Sequence, residues 1–235
     1  MSQFSEHFAG NIDERLFNSH HRPGGKPVIV DLVFPVSGVL LPTDHAYPLY
    51  AALSALVPAF HADETPLRFA PISGIGQSDG MLQVGPNSCL RVRLPDDHVR
   101  LALPLAGKRL TVGGNWVRMG VPTVRTLVEA PVLVARMVTF KNADTPEQFL
   151  ATARKKLTEL GIQGEPSLPI HMDGDRAGEP KRRVVRVKGA VIVGYSLLVS
   201  ELSASNSLTL QGQGLGGRTR LGCGFFTPAK AGGTL

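Results

Sequence analysis

The 235-residue chain holds only two cysteines, Cys89 and Cys223, and neither stands in a CxxC pair. That excludes a cysteine-based metal framework and a disulfide-stapled scaffold. No apolar run approaches the roughly 20 residues that a membrane helix requires, so no membrane contact is expected. The opening residues, MSQFSEHFAGNIDERLF, carry acidic side chains and lack the continuous apolar stretch of a secretory signal. The expected location is the cytoplasm. A Walker loop is missing too, because it needs GxxxxGK followed by Ser or Thr, and no lysine follows the late glycines at that spacing.

What the chain does have is apolar residues, glycine and positive charge. Hydrophobic residues make up 43% of it, enough to fill a sizeable core, and Lys plus Arg exceed Asp plus Glu by 25 to 19. A sequence pI of about 9.6 is the usual electrostatic footprint of a polyanionic partner.

Along the chain, residues 1–27 read as a flexible arm that ends in Pro- and Gly-rich NSHHRPGGKP. VIVDLVFPVSGVL (28–40) is rich in β-branched residues and predicts a strand. Leu49, Leu53, Leu56 and Phe60 follow at helical spacing. Thr43 or Asp44 can cap that helix, Pro48 suits its first turn, and Pro58 ends it. RFAPISG and MLQVGPNSCLRVRL predict two strands, PDDHVRLALPL a short helix and KRLTVGGNWVRMG a fourth strand. This order is β-α-β-β-α-β, the ferredoxin-like pattern.

The pattern opens again after a join near residues 114–122. TVRTLVEAPVLVARMVTF (123–140) predicts a long strand or a hairpin. In TPEQFLATARKKLTELG, Thr145 and Gln148 form a capping box, Pro146 takes the first helical position and Gly161 terminates. The expected architecture is α+β, two tandem ferredoxin-like halves. They span residues 28–115 and 120–235, with a glycine-rich loop at 212–224 in the second.

That loop, GLGGRTRLGCGFF, holds five glycines between Gly214 and Gly224, with Arg218 and Arg220 among them. Glycine loses more backbone entropy on folding than any other residue, so such a run requires a reason. One reading is a backbone nest for phosphate, made by Gly216, Gly217, Gly222 and Gly224 with charge from the two arginines. The other is a packing loop at a crowded strand junction.

Metal-free proton transfer suits histidine, whose pKa of about 6.5 lies near operating pH. Of seven histidines, His7, His20 and His21 lie in the arm, His98 follows two aspartates, and His171 sits in a charged loop. His45 and His61 remain. His45 stands at a helix start, where the positive end of the dipole disfavours its protonated form, which suits a base and equally a plain capping position. A basic stretch, Arg176, Lys181, Arg182, Arg183, Arg186 and Lys188, is either a solvated edge strand or a phosphate-binding surface. Arg154, Lys155 and Lys156 can extend it.

GLGGRTRLGCGFFTP, preceded by VIVGYSLLVSELS, closely resembles the C-terminal half of the sixth Cas family, in its Myxan-like branch. These are CRISPR-associated endoribonucleases that cut the repeats of precursor CRISPR RNA. DLVFPVSGVLLPTDHAYPLYAALSALVPAFH is similar to that family's first strand and helix. The resemblance implies metal-independent cleavage without a cofactor: the ribose 2′-OH attacks the adjacent phosphate, leaving a 2′,3′-cyclic phosphate and a 5′-OH. It implies His61 in FHADETPLRF as the base, with Arg68 as charge stabiliser and His45 as the rival base. Lys181, Arg182, Arg183, Arg186 and Lys188 would grip the repeat hairpin. Retention on the crRNA hairpin beside other subunits of an interference complex is also implied. The alternative is a non-catalytic RNA-binding subunit of such a complex.

Overall fold

The computed structural model describes residues 27–62, 67–76 and 79–229. His7, His20, His21 and the arm before Pro27 lie outside the described residues. The first half runs β1 (Ile29–Gly38), β2 (Leu40–Pro42), α1 (Ala46–Leu56), β3 (Arg68–Ala70), β4 (Ile75–Gly76), β5 (Met81–Gln83) and β6 (Cys89–Pro95). It continues with α2 (Val99–Ala102), β7 (Arg109–Val112), β8 (Asn115–Met119) and β9 (Thr123–Thr126). Its main sheet has the order β3-β6-β1-β8-β7, with β9 also on β1. The stretch expected as one fourth strand is therefore a hairpin, β7–β8, turned at Gly113–Gly114, both at positive φ.

The region 114–122, expected to join the halves, holds β8 and the turn into β9, and both strands lie on the first sheet. Likewise 123–140 is neither one strand nor a hairpin. β9 closes the first sheet, while β10 (Leu133–Val138) opens the second. Then come α3 (Pro146–Glu159), β11 (Glu165–Ser167), β12 (Arg182–Val187), β13 (Ala190–Ser200), α4 (Ala204–Gln213) and β14 (Phe226–Pro228). The second sheet has the order β11-β13-β10-β14, with β12 also on β13. In both sheets the central pair is the first and third strand of the βαββαβ unit, so the two ferredoxin-like halves stand.

α3 follows local signals closely. Thr145 Oγ1 accepts from the Gln148 amide, Gln148 Oε1 accepts from the Thr145 amide, and Gly161 takes positive φ just past the end. Phe149, Ala153 and Leu157 are buried on its core face, and Leu160 lies at the rim. α1 departs from its expected start. Its N-cap is His45, without a side-chain cap, because the Asp44 carboxylate instead accepts from the Arg186 amide at 2.9 Å. Leu49 and Leu53 pin α1 to the first core, at about 1.5–3 kcal/mol per fully buried side chain. Its opposite side, through Ala46, Tyr47 and Tyr50, joins Met137, Val185, Ile192, Leu221 and Cys223 of the second half.

A second tie crosses between the halves. Arg93 of β6 is 2% exposed and binds Asp31 of β1 with both ends, at 2.7 and 3.0 Å. Its remaining donor reaches the carbonyls of Gln211 and Phe226, at 2.9 and 2.8 Å. The guanidinium also lies 4.0 Å from the centroid of the Phe225 ring. A buried ion pair stabilises only when its spare donors are also satisfied, and here the second half supplies those acceptors.

Candidate active site

His61 closes a short 3-10 turn, Pro58–His61, just beyond α1. It is exposed, and its Nδ1 shares a 2.6 Å hydrogen bond with the Tyr50 hydroxyl. Tyr50 lies one helical stretch upstream on α1, stacks on Phe69 of β3 at 6.1 Å, and meets the His61 ring edge-on at 5.4 Å. When Nδ1–H donates to the Tyr50 oxygen, Nε2 is the unprotonated nitrogen, which is the state a general base needs.

The glycine-rich loop reaches this turn. Arg220 donates from Nη1 to the His61 carbonyl at 3.0 Å and from Nη2 to the Ala62 carbonyl at 2.6 Å. Two stretches separated by about 160 positions in sequence thus form one surface. Arg218, exposed and in the left-handed region at φ 57°, begins the 3-10 turn that carries Arg220.

His45 is placed differently. It is fully buried, its Nδ1–H donates to the Pro42 carbonyl at 2.7 Å, and its Nε2 has no hydrogen-bond partner. Burial pushes its pKa below the usual histidine value, and the Arg136 charge adds to that. A fully buried ring does not touch RNA in this arrangement. Arg68 does not join His61 either. Successive side chains of a strand point to opposite faces, so Phe69 faces Tyr50 while Arg68 faces the other way. There Arg68 donates to the Gly212 carbonyl and lines a separate groove of about 400 Å³ with Lys156, Gln213 and Gly216. Burial, with Arg93 nearby, lowers its pKa.

The loop's amides correct the phosphate-nest expectation. Gly217 N–H donates to the Thr139 carbonyl at 3.0 Å, Gly222 to Thr219 at 3.2 Å, and Gly224 to Met137 at 2.8 Å. All three are spent inside the protein. Gly224, at φ 68°, packs so closely on Leu215 that a Cβ would collide with its carbonyl oxygen, and one on Gly222 would meet Pro71. At Gly216, φ 84°, a Cβ would lie 2.6 Å from the Thr139 carbonyl. Gly217 has no positive φ, and an added Cβ finds ordinary contact at 3.8 Å. The packing reading therefore accounts for Gly216, Gly222 and Gly224. Gly216 and Gly217 remain exposed beside Arg218.

The basic stretch also divides. Lys181 is 5% exposed, its backbone bonded to Pro169 and Ser196, so it does not share the surface of Arg182. Arg183 is half-buried and donates to Ser196 Oγ at 3.1 Å, and burial followed by the Arg136 charge lowers its pKa. Arg182, Arg186 and Lys188 are exposed. Lys188 and Gly189, both at positive φ, make the two-residue turn between β12 and β13, the geometry that matches strand twist. His98 pairs with Asp97 at the surface, and Arg154 pairs with Glu165 and Lys156 with Glu159 on exposed ground.

A family model described as Cas6 Crispr matches residues 30–231. The chain belongs to the Cas6 family. It is 38% identical over 205 residues to the CRISPR-associated endonuclease Cas6 of Myxococcus xanthus (strain DK1622), covering 87% of this chain and 84% of that one. By that kinship it is an enzyme of the endonuclease class. Two solved structures share its fold. One is a CRISPR associated protein Cas6, at TM-score 0.60 and 10% identity over 87% of this chain and 100% of the other. The other is described as a RAMP protein binding different RNA substrates, at TM-score 0.61 and 15% identity over 86% and 99%. Among the described residues, no helix is long and apolar enough to cross a membrane, and no three His, Cys, Asp or Glu side chains gather as a metal site.

Sequence reasoning weighed neither Arg93 nor the pairing of Tyr50 with His61. The alternation in LRVRL held a signal for the first. With Leu90, Val92 and Leu94 facing the core, the arginines between them share the opposite face with Asp31.

Proposed function

We propose that this chain is an endoribonuclease that cuts CRISPR repeat RNA without a metal ion. The observation that carries this is the clasp at His61: an exposed imidazole, oriented by Tyr50, on a turn held by Arg220 of the glycine-rich loop. His61 Nε2 takes the proton of a ribose 2′-OH, the 2′ oxygen attacks the adjacent phosphorus, and the 5′ oxygen leaves. The products are a 2′,3′-cyclic phosphate and, once a proton reaches the leaving oxygen, a 5′-OH. Arg218 beside the clasp supplies charge for the phosphate, and Arg182, Arg186 and Lys188 hold the RNA duplex through its phosphates, because the deep major groove of RNA is closed to side chains. The protein stays on the product hairpin as a subunit of an interference complex and works in the cytoplasm.

The deciding experiment is incubation of the purified chain with repeat RNA in EDTA. Cyclic-phosphate products support the proposal. Tight binding without cleavage would leave an RNA-binding subunit in its place.

A further inference from the structure

The outer face of the first sheet carries a cluster that the cleavage chemistry does not use. Strand register sets Ser37 opposite Arg118, Arg118 opposite Arg109, and Trp116 opposite Thr111. These side chains share the face turned away from the core, since Leu110, Val112, Val117 and Met119 between them are buried. Trp116, the one tryptophan of the chain, is 45% exposed. The Arg109 guanidinium lies 4.3 Å from its ring centroid. Register adds Arg91 and Arg125 to the same face. Asp31, the acid of this face, is committed to Arg93. Among the described residues, none of Arg91, Arg109, Arg118 and Arg125 pairs with an acidic side chain. A groove of about 510 Å³ beside them is lined by Ser37, Gly38, Gly85 and Gly120, and Arg118 is the charged residue in it.

We infer that this face is a second RNA contact, which takes a single-stranded segment flanking the cleaved hairpin. Charge of one sign without an acidic counterpart fits a polyanion. A large aromatic ring on a flat sheet face offers a surface that only an unstacked base can use. A base docked on Trp116 extends the Arg109–Trp116 stack, Arg118 meets an adjacent phosphate, and Arg91 and Arg125, several residues farther along the register of β1, meet phosphates farther along the segment. The inference rests on the ribonuclease reading. The His61 clasp sits beside β3 on the helix side of the sheet, and Trp116 lies on the opposite face of β8, several residues farther along the register of β1. RNA held at both places passes around the edge of the sheet.

The lone tryptophan reports on its own occupancy. Titrating the full chain with a 12-nucleotide oligouridylate should quench Trp116 emission, and a bare repeat hairpin should leave it unchanged. Trp116→Ala should weaken binding of a hairpin with a single-stranded flank by about 5- to 150-fold, the range of one lost base stack. Its melting temperature, its affinity for the bare hairpin and its cleavage of that hairpin should stay near wild type, and Trp116→Phe should recover most of the flank's contribution. Unquenched emission with oligouridylate, flank affinity within two-fold in Trp116→Ala, or equal quenching by a duplex each overturns the inference. A wild-type chain that neither binds nor cleaves the repeat hairpin instead overturns the ribonuclease reading, and the oligouridylate titration keeps the two failures apart.

Discussion

The two halves follow one connectivity and differ where the second helix meets the last strand. In the first half, four-residue α2 leads into the β7–β8 hairpin, whose turn at Gly114 holds positive φ but has open space, with nothing within 4 Å of an added Cβ. In the second half, ten-residue α4 leads into the Gly214–Phe225 loop and three-residue β14. There glycine backbones pack against backbone carbonyls, and the amides of Gly217, Gly222 and Gly224 are bonded inward. One position in the plan thus carries an open turn in one half and a rigid backbone knot in the other. Rigidity is what allows the knot to project Arg220 across to His61.

The largest expected effect tests the clasp. His61→Ala should slow single-turnover cleavage of repeat RNA by about 10²–10⁴, the usual worth of a positioned acid–base group, with affinity within a few-fold of wild type. Buried His45 should behave otherwise, with His45→Asn changing stability more than rate. A rate collapse in a stable His45→Asn protein, with His61→Ala fully active, would reverse the assignment.

Next comes the tie between the halves. Arg93→Leu leaves Asp31 buried and unpaired and strips the Gln211 and Phe226 carbonyls of their donor. About 3–5 kcal/mol of unfolding free energy should be lost, as read by urea denaturation. A loss under 1 kcal/mol would show that the halves stand independently.

The glycines sharpen the contrast at smaller scale. Gly224→Ala should cost about 2–4 kcal/mol, from overpacking and positive-φ strain. Gly217→Ala should change stability by no more than about 0.5 kcal/mol. Repeat affinity, corrected for folded fraction, should be untouched in Gly224→Ala. An affinity loss in fully folded Gly224→Ala protein would restore the phosphate nest.

The smallest effect is a pH slope. The His45 pKa is lower folded than unfolded, so its neutral form favours the native state. Stability from this residue is complete above about pH 6.5 and is lost as pH falls from there toward the folded pKa, by at most about 1.4 kcal/mol per unit. Between pH 7.5 and 5.5 the wild type should therefore lose more melting temperature than His45→Asn. Equal losses would place the ring in contact with water.

Local signals in the sequence carried further than distant ones. The capping box of α3, its Pro146 and its Gly161 all act within one or two turns, and the helix forms where they say. Strand identity was equally legible for β1, a long run rich in β-branched residues. The hairpin in KRLTVGGNWVRMG was missed although Gly113–Gly114 is a turn signal, because the apolar alternation runs on either side of it. The destination of Thr123–Thr126 depends on β1, some ninety positions earlier, and no local pattern encodes that pairing. The site divides in the same way. The position of His61 just beyond α1 follows from local signals such as Pro58, whereas the Arg220 clasp, the burial of His45 and Lys181, and the turn of Arg68 to the opposite face are set by tertiary packing.

The route of the chain has a consequence for how the protein is made. The first sheet needs no residue beyond Thr126, so it can close while the rest of the chain is still being synthesised, in keeping with domain-by-domain folding. Arg93 is then held by Asp31 alone, with one nitrogen facing water, until Gln211 and Phe226 arrive more than a hundred residues later. The nascent first half therefore folds with the arginines of its sheet face uncovered. Docking of α4 and β14 is the last step that long-range contact requires. Docking of α4 and β14 therefore does more than finish a sheet: it supplies the last acceptors for Arg93 and covers part of the face on which that arginine lies.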